Sequence, residues 1–355
     1  MSKYRVVVAG LGKRGLHHAA AFQANGRFEV AGLCEIDQGR LDAAGAKYPA
    51  AVRGADVRQV ASAVRPDVFC FCTLPHVRTD MIRAGIESGA RLIAMEKPVA
   101  LSSAEGTVVR DLLAASGVKA VVSHQHRYGE HYRKAQEIAA SGQLGRIHTV
   151  YGTATGWMTH MLSHLIDYMR WFNGEAEAEW VVAQAAGRGK FADNHPSPDY
   201  IAGIIHFANG VHGVVECGAG APDVPEVDYW WRKCRIGAQG PDGFSEVLTG
   251  GGWRAVTKNG ACSGPGSMNY DLDMPPYIAQ MADWLDDDAK VHPCNFGSAW
   301  KGFEIAMALC RSAAGGGQVA LPLTEGANEL ELLKAALPER KVLLSMPANA
   351  KEYGA

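Results

Sequence analysis

Two groups of residues in this chain have the types and spacing for proton chemistry. The first is Glu96-Lys97-Pro98, which closes the strand-like run Arg91–Met95. An ammonium at a strand end can hydrogen-bond a reacting oxygen, stabilise developing alkoxide charge and relay the proton. A surface lysine at a turn is the plain alternative, and its place between Glu96 and Pro98 favours chemistry. The second group is His160, His164 and Asp167, at i, i+4 and i+7, which share one helix face, with the apolar Leu162, Leu165, Ile166 and Met169 to the other side. Histidine titrates nearest to neutrality, so His164 is expected to be a general base, with Asp167 orienting it or holding the helix. His160 is expected to bind a substrate hydroxyl, or to be a satisfied core histidine. His160-x-x-x-His164 also matches a zinc pair. Met161 follows His160, however, so the Glu of an HExxH site is missing, and no third ligand is implied. The expectation is no metal.

The elements that must position these residues begin at the N-terminus. A β-branched run, Val6–Val8, leads into Gly10, Gly12 and Gly15, and Leu16, Ala19, Ala20 and Phe22 then recur at helical spacing. Strand, glycine-rich turn and helix in that order make a dinucleotide-binding fingerprint, with pyrophosphate expected on the loop Gly10, Gly12, Lys13, Arg14 and Gly15. With 41 Gly in 355 residues, a chance GxGxxG match is expected about half a time per chain, so context decides. The context is a second apolar run, Phe28–Cys34, ending in Glu35, 20 residues after Gly15. A carboxylate there accepts from the ribose hydroxyls and repels a 2′-phosphate, favouring NAD over NADP, with Arg40 nearby as a counter-signal.

The rest of the first third alternates strand and helix, which calls for a doubly wound parallel sheet. Asp67–Thr73 reads as a central strand ending in Thr73, Leu74 and Pro75. Ligands sit beyond the carboxyl ends of such strands, so Thr73, Leu74, Pro75, Glu96 and Lys97 join the glycine loop as cofactor residues. Glu96 would bind ribose or fix the turn, and Pro98 would set the backbone, through a cis bond or otherwise. From about residue 124 the pattern becomes α+β with an open, mostly antiparallel sheet. The division expected is 1–123 for the nucleotide-binding domain and 124–355 for a substrate and oligomerisation domain. In the second part the helix carrying the histidines is expected to have Thr159 as N-cap and Gly174 as stop. A later helix is expected over Tyr277–Asp286, and Ala208-Asn209-Gly210 as a hairpin turn. Arg127 is expected to contact substrate or tie the domains together, with Tyr128, His124 and His126 beside it. Trp157 is expected to be a platform for a sugar ring or a core residue. Trp230 and Trp231 are assigned to a sheet face or subunit contact.

A chain of 355 residues favours two domains. A formal net charge of −2 makes no electrostatic case for nucleic acid or anionic membrane, and no apolar run reaches the ~20 residues of a membrane helix. The first strand starts at once, leaving no room for a signal peptide, and the eight cysteines show no CxxC pair and read as buried thiols. The expectation is a cytoplasmic enzyme.

Taken together, these residues resemble the glucose–fructose oxidoreductase / inositol dehydrogenase (Gfo/Idh/MocA) family over nearly the whole chain. The resemblance rests on GLGKRG at Gly10–Gly15, the acidic end of the second strand, Thr73-x-Pro75, Glu96-Lys97-Pro98, Arg127-Tyr128, GQLGRI at Gly142–Ile147 and His164-Leu-Ile-Asp167. It implies a Rossmann domain and an open-faced sheet domain that mediates homodimer or homotetramer formation. It also implies NAD-dependent oxidation or reduction of a secondary carbinol of a sugar, glycoside or cyclitol. Two departures stand out. The family's histidine after the strand-four proline is Thr79 here, and its Asp-x-x-x-His is His160-x-x-x-His164. The altered position keeps open NAD-dependent glycoside cleavage by transient oxidation and elimination. A non-catalytic NAD(H)-binding regulator is the reading from another class.

Overall fold

In the computed structural model, which describes residues 3–339, the β-branched N-terminal run is β1 (Tyr4–Ala9), followed by α1 (Lys13–Ala24) and β2 (Phe28–Cys34). Alternation continues through α2 (Gln38–Lys47), β3 (Val52–Gly54), α3 (Val57–Val64), β4 (Val68–Phe71), α4 (Arg78–Glu87), β5 (Leu92–Met95), α5 (Ser103–Ser116) and β6 (Lys119–Val122). Helix starts follow local chemistry. Asp37 accepts from the Arg40 N–H at the start of α2, and Asp56 from those of Arg58 and Gln59 at the start of α3.

The six strands are parallel, in the order β3-β2-β1-β4-β5-β6. Strand order reverses between β1 and β4, which opens a crevice at their carboxyl ends. β4 and β5 are buried along their whole length, as strands covered on both faces must be.

This unit takes in the chain up to Ala100, Glu105–Tyr128 and, unexpectedly, Asn269–Ala299. The division after residue 123 leaves that last stretch in the second domain. The structure instead packs α8 (Tyr270–Asp286) into the first core, where Met274, Tyr277, Ile278, Met281 and Leu285 join Val6, Val8, Ala19 and Phe22. Their spacing is a helical stripe, and a stripe does not name its partner. The helix also begins seven residues before the expected Tyr277, because the Asn269 side chain accepts from the Asp271 N–H and caps it ahead of Pro275-Pro276.

The second unit contains Leu101–Ala104, Gly129–Met268 and residues 300–339. It opens with α6 (Glu130–Ala140), β7 (Thr149–Ala154), α7 (Met158–Phe172), β8 (Ala178–Ala186), β9 (Tyr200–Phe207) and β10 (His212–Gly218). Next come β11 (Cys234–Gly240), β12 (Gly243–Leu248), β13 (Gly252–Thr257) and β14 (Gly260–Gly264). After α9 (Phe296–Gly315), β15 (Val319–Ala320) and α10 (Glu329–Ala336) follow. Nine strands pair in the order β14-β13-β12-β11-β7-β10-β9-β8-β15, with β7 and β10 parallel and the other pairs antiparallel. Val181, Ile205 and Val215 are buried while Val182, Ile204 and Val214, one register row on β8, β9 and β10, are exposed. The sheet therefore has one covered and one open face.

Several local expectations are corrected. Thr159 lies inside α7, with Trp157 at the cap position, and its Oγ1 donates to the Pro196 carbonyl at 2.5 Å. Trp230 is buried against Trp157 rather than on a sheet face. All eight cysteines are free, and Cys262 is exposed because the edge strand β14 covers neither face. No helix among the described residues is long and apolar enough to cross a membrane.

Ile278 is fully buried in the shared core. Ile278→Ala should destabilise the first unit by about 3 kcal/mol in urea unfolding. A change below about 0.5 kcal/mol would show that α8 is not part of that core.

Candidate functional site

The glycine loop of the first unit divides its labour by backbone geometry. Gly10 has φ +81°, and a Cβ there would lie 2.8 Å from the Cys72 carbonyl oxygen. A Cβ on Gly15 would lie 1.8 Å from the Gly10 carbonyl oxygen, whereas one on Gly12 meets nothing within 4 Å. Gly10 thus closes the turn, Gly15 lets α1 sit on it, and Gly12 borders open space through which a diphosphate can approach. Gly12 is also the N-cap of α1 and supplies no side-chain cap, so the helix opens on bare backbone N–H groups, which attract phosphate oxygens.

Glu35 stands at the end of β2, and its carboxylate accepts from the Leu11 N–H at 2.7 Å and the Asp37 N–H at 3.1 Å. The acid is thereby tied to the glycine loop, with lone pairs remaining for hydroxyls. The next residue, Ile36, is 88% exposed, an apolar ledge that the sequence reading passed over. After β4, the Thr73 hydroxyl is buried without a hydrogen-bond partner among the described residues, Leu74 is exposed, and Pro75 starts a 3₁₀ turn. These features fit a dinucleotide: an open glycine, a bare helix start, a carboxylate at the ribose position and an unsatisfied hydroxyl.

Glu96 fixes the loop. Its Oε1 accepts from Arg14 Nε at 3.1 Å and lies 3.2 Å from His18 Nε2. Burial alone would raise the Glu96 pKa, yet Arg14 and His18 hold it well below the usual carboxylate range. Burial likewise disfavours a charged His18, but Cys70 and Glu96 raise it to about 9. Lys97 is one residue on, and its peptide bond to Pro98 is cis. Its pKa is lowered, first by burial and then by the charges of Arg14 and Arg78, against the pull of Glu96.

Arg78 escaped the sequence reading. It begins α4, is 0% exposed, and lies with its guanidinium carbon 5.3 Å from the centre of the Phe71 ring. None of its three guanidinium nitrogens has a hydrogen-bond partner among the described residues, and burial lowers its pKa to about 10. The available signal was a cation in the first turn of a helix, where the dipole opposes it. Its neighbour Thr79 donates to Glu105 at 3.2 Å.

Arg127 is buried in a 3₁₀ turn, Gln125–Tyr128, that belongs to the first unit, where the sequence reading had it begin the second. His126 of the same turn lies 3.0 Å from Asp273 of α8.

In the second unit, α7 carries His160 and His164 half-buried and Asp167 buried. The partner of His164 Nδ1 is the Tyr168 hydroxyl at 3.2 Å, one helical turn on. The His160 ring lies tilted, 4.0 Å from that of His195, and the ligand atoms of His160, Asp193 and His195 all lie within 4.8 Å of one another. Asp193 and His195 were missed because they lie more than thirty residues away in a loop that has no motif. Trp157 is 2% exposed, with the Trp230 ring 5.2 Å away and Lys190 Nζ 4.4 Å from its centroid, so it packs in the core and offers no platform for a sugar.

Gly12 has φ −67°, open to any residue. Gly12→Ala should leave the thermal midpoint within about 2 °C of the parent but weaken dinucleotide binding about tenfold or more in calorimetry, because the methyl fills the diphosphate approach. Unchanged affinity would place the diphosphate elsewhere.

Residues 4–124 match the family model described as the oxidoreductase family with NAD-binding Rossmann fold, and residues 132–230 match the Gfo/Idh/MocA C-terminal domain. Comparison with curated protein sequences finds no match. Among solved structures, an oxidoreductase from Agrobacterium radiobacter, in complex with NAD+, L-tartaric acid and magnesium, aligns with TM-score 0.77 at 14% identity, covering 90% of this chain and 98% of that one. A putative myo-inositol dehydrogenase from Sinorhizobium meliloti 1021 aligns with TM-score 0.71 at 18% identity, over 90% and 100% of the two chains. An aldose-aldose oxidoreductase from Caulobacter crescentus, complexed with glycerol, aligns with TM-score 0.75 at 15% identity, again over 90% and 100%. Likeness at such identities shows the fold. The two family models, which follow one another along the sequence, show more: this chain belongs to the Gfo/Idh/MocA family of NAD-binding oxidoreductases.

Proposed function

We propose that the protein is an NAD-dependent dehydrogenase acting on a secondary carbinol of a sugar, glycoside or cyclitol. The observation that carries this reading is the coupling of Lys97 to the nucleotide loop: Glu96, its neighbour, grips Arg14 of that loop. The bound nicotinamide supplies the hydride acceptor or donor. Lys97 donates a hydrogen bond to the reacting oxygen and steadies the charge that develops on it. Burial and the charges of Arg14 and Arg78 lower its pKa, which eases release of a proton. His164, its Nδ1 beside the Tyr168 hydroxyl, has its ring orientation set and is assigned the role of base. Glu35 prefers the ribose hydroxyls of NAD to a 2′-phosphate, and Ile36 offers an apolar surface for the adenine. The substrate class is supported by the structural neighbours named as inositol and aldose enzymes.

The test is Lys97→Met. Turnover, measured as NADH formed across a panel of sugars, cyclitols and glycosides, should fall about a thousandfold or more, while NAD binds as before and more tightly than NADP. Retained turnover would remove Lys97 from the chemistry, and equal affinity for NADP would remove the role of Glu35.

Arg78 bears on the same lysine. Its charge lowers the Lys97 pKa, so Arg78→Gln should let Lys97 keep its proton to higher pH. The limb of the kcat/KM profile governed by Lys97 should then move to higher pH. An unmoved or downward-shifted limb would mean that Arg78 does not act on Lys97.

A further inference from the structure

We propose that His160, Asp193 and His195 form a binding site for a divalent first-row transition ion of the zinc class. Three ligands come from two elements, the first turn of α7 and the loop between β8 and β9, and their donor atoms already lie within 4.8 Å of one another. Tetrahedral zinc, with ligands about 2.0–2.2 Å away, needs donors roughly 3.4 Å apart, so closing on an ion takes side-chain movements of about 1 Å.

The loop is preorganised for this. Lys190 and Ser197 form a β-bridge within it, and the Asp199 N–H meets the Gly187 carbonyl at 3.4 Å across its base. Thr159 of α7 donates to the Pro196 carbonyl at 2.5 Å, which fastens the loop beside His160. Asp193 Oδ1 accepts the His195 N–H at 2.9 Å, setting the two loop ligands relative to each other.

Two imidazoles and one carboxylate, without a thiolate, select borderline ions such as Zn²⁺ or Co²⁺ over soft Cu⁺ and over hard Mg²⁺. All three residues are partly exposed, so an ion can enter, and three protein ligands leave a coordination position for water or a ligand hydroxyl. A cation already stands at this carboxylate: Lys190 Nζ lies 3.5 Å from Asp193 Oδ2. The same ammonium lies 4.4 Å from the centre of the Trp157 ring, which can keep it when an ion displaces it from Asp193.

This inference is independent of the dehydrogenase reading, since binding is measured without NAD or substrate. The full chain, stripped with a chelator, is titrated with Co²⁺ while the visible ligand-field bands are followed, and then with Zn²⁺ in competition. One equivalent should bind. His195→Ala and Asp193→Asn should each weaken Co²⁺ binding about tenfold or more, and His164→Ala should leave it unchanged. Circular dichroism checks each fold, and Asp193→Asn, which keeps size and shape, carries the test if His195→Ala unfolds. Absence of stoichiometric uptake would overturn the proposal. So would parental affinity in both loop variants, or a loss confined to His164→Ala, which would put the ion on the helix pair.

Discussion

The contact on which the first unit turns is the ion pair between Arg14 and Glu96. It joins the glycine loop after β1 to the end of β5, two points far apart in sequence. The Glu96 side chain is 12% exposed, and Arg14, His18 and Lys97 hold its carboxylate ionised against the effect of burial. Removing one partner of such a pair leaves an uncompensated buried charge, a cost of about 3–5 kcal/mol, so loop and strand end hold each other in register. Lys97 follows Glu96 in the chain, and the two charges stabilise each other.

Charge in this region is unbalanced by design of the chain. Arg14, His18, Arg78 and Lys97 gather around Glu96, Glu105 also acts on Arg78, and no guanidinium nitrogen of Arg78 has a hydrogen-bond partner among the described residues. A buried cation normally finds a partner, and one that does not is a standing source of positive potential. That potential would suit the diphosphate and the lysine chemistry proposed for this region.

The second unit is organised differently. Its sheet covers one face and leaves a row of branched apolar side chains open on the other. α7 is held through its buried stripe, while the loop at 187–199 is tied to its first turn by Thr159 and Pro196. The helix thus shows its histidines to two different neighbours. His164 turns along its own helix to Tyr168, and His160 turns outward to His195. Tight fastening of the loop is what makes a three-residue cluster out of groups that local sequence keeps apart.

Sequence alone determined what depends on neighbours along the chain. The roles of Gly10, Gly12 and Gly15 follow from backbone sterics within one turn, the parallel sheet from the alternation of unbroken apolar strands with helices, and Glu35 from strand length. The family could be named from such local signatures, Glu96-Lys97-Pro98 foremost. Tertiary structure decided everything set by which surfaces meet. An amphipathic stripe such as that of α8 fits either core, and only packing assigned Asn269–Ala299 to the first. Nothing local marks Arg78 as buried, and Trp157 stood open between platform and core; the fold buried both. Histidines four residues apart look like a pair because helical spacing puts them on one face. His160 instead finds Asp193 and His195, since the direction of a side chain is chosen by what the loop brings against it, and that choice is long-range.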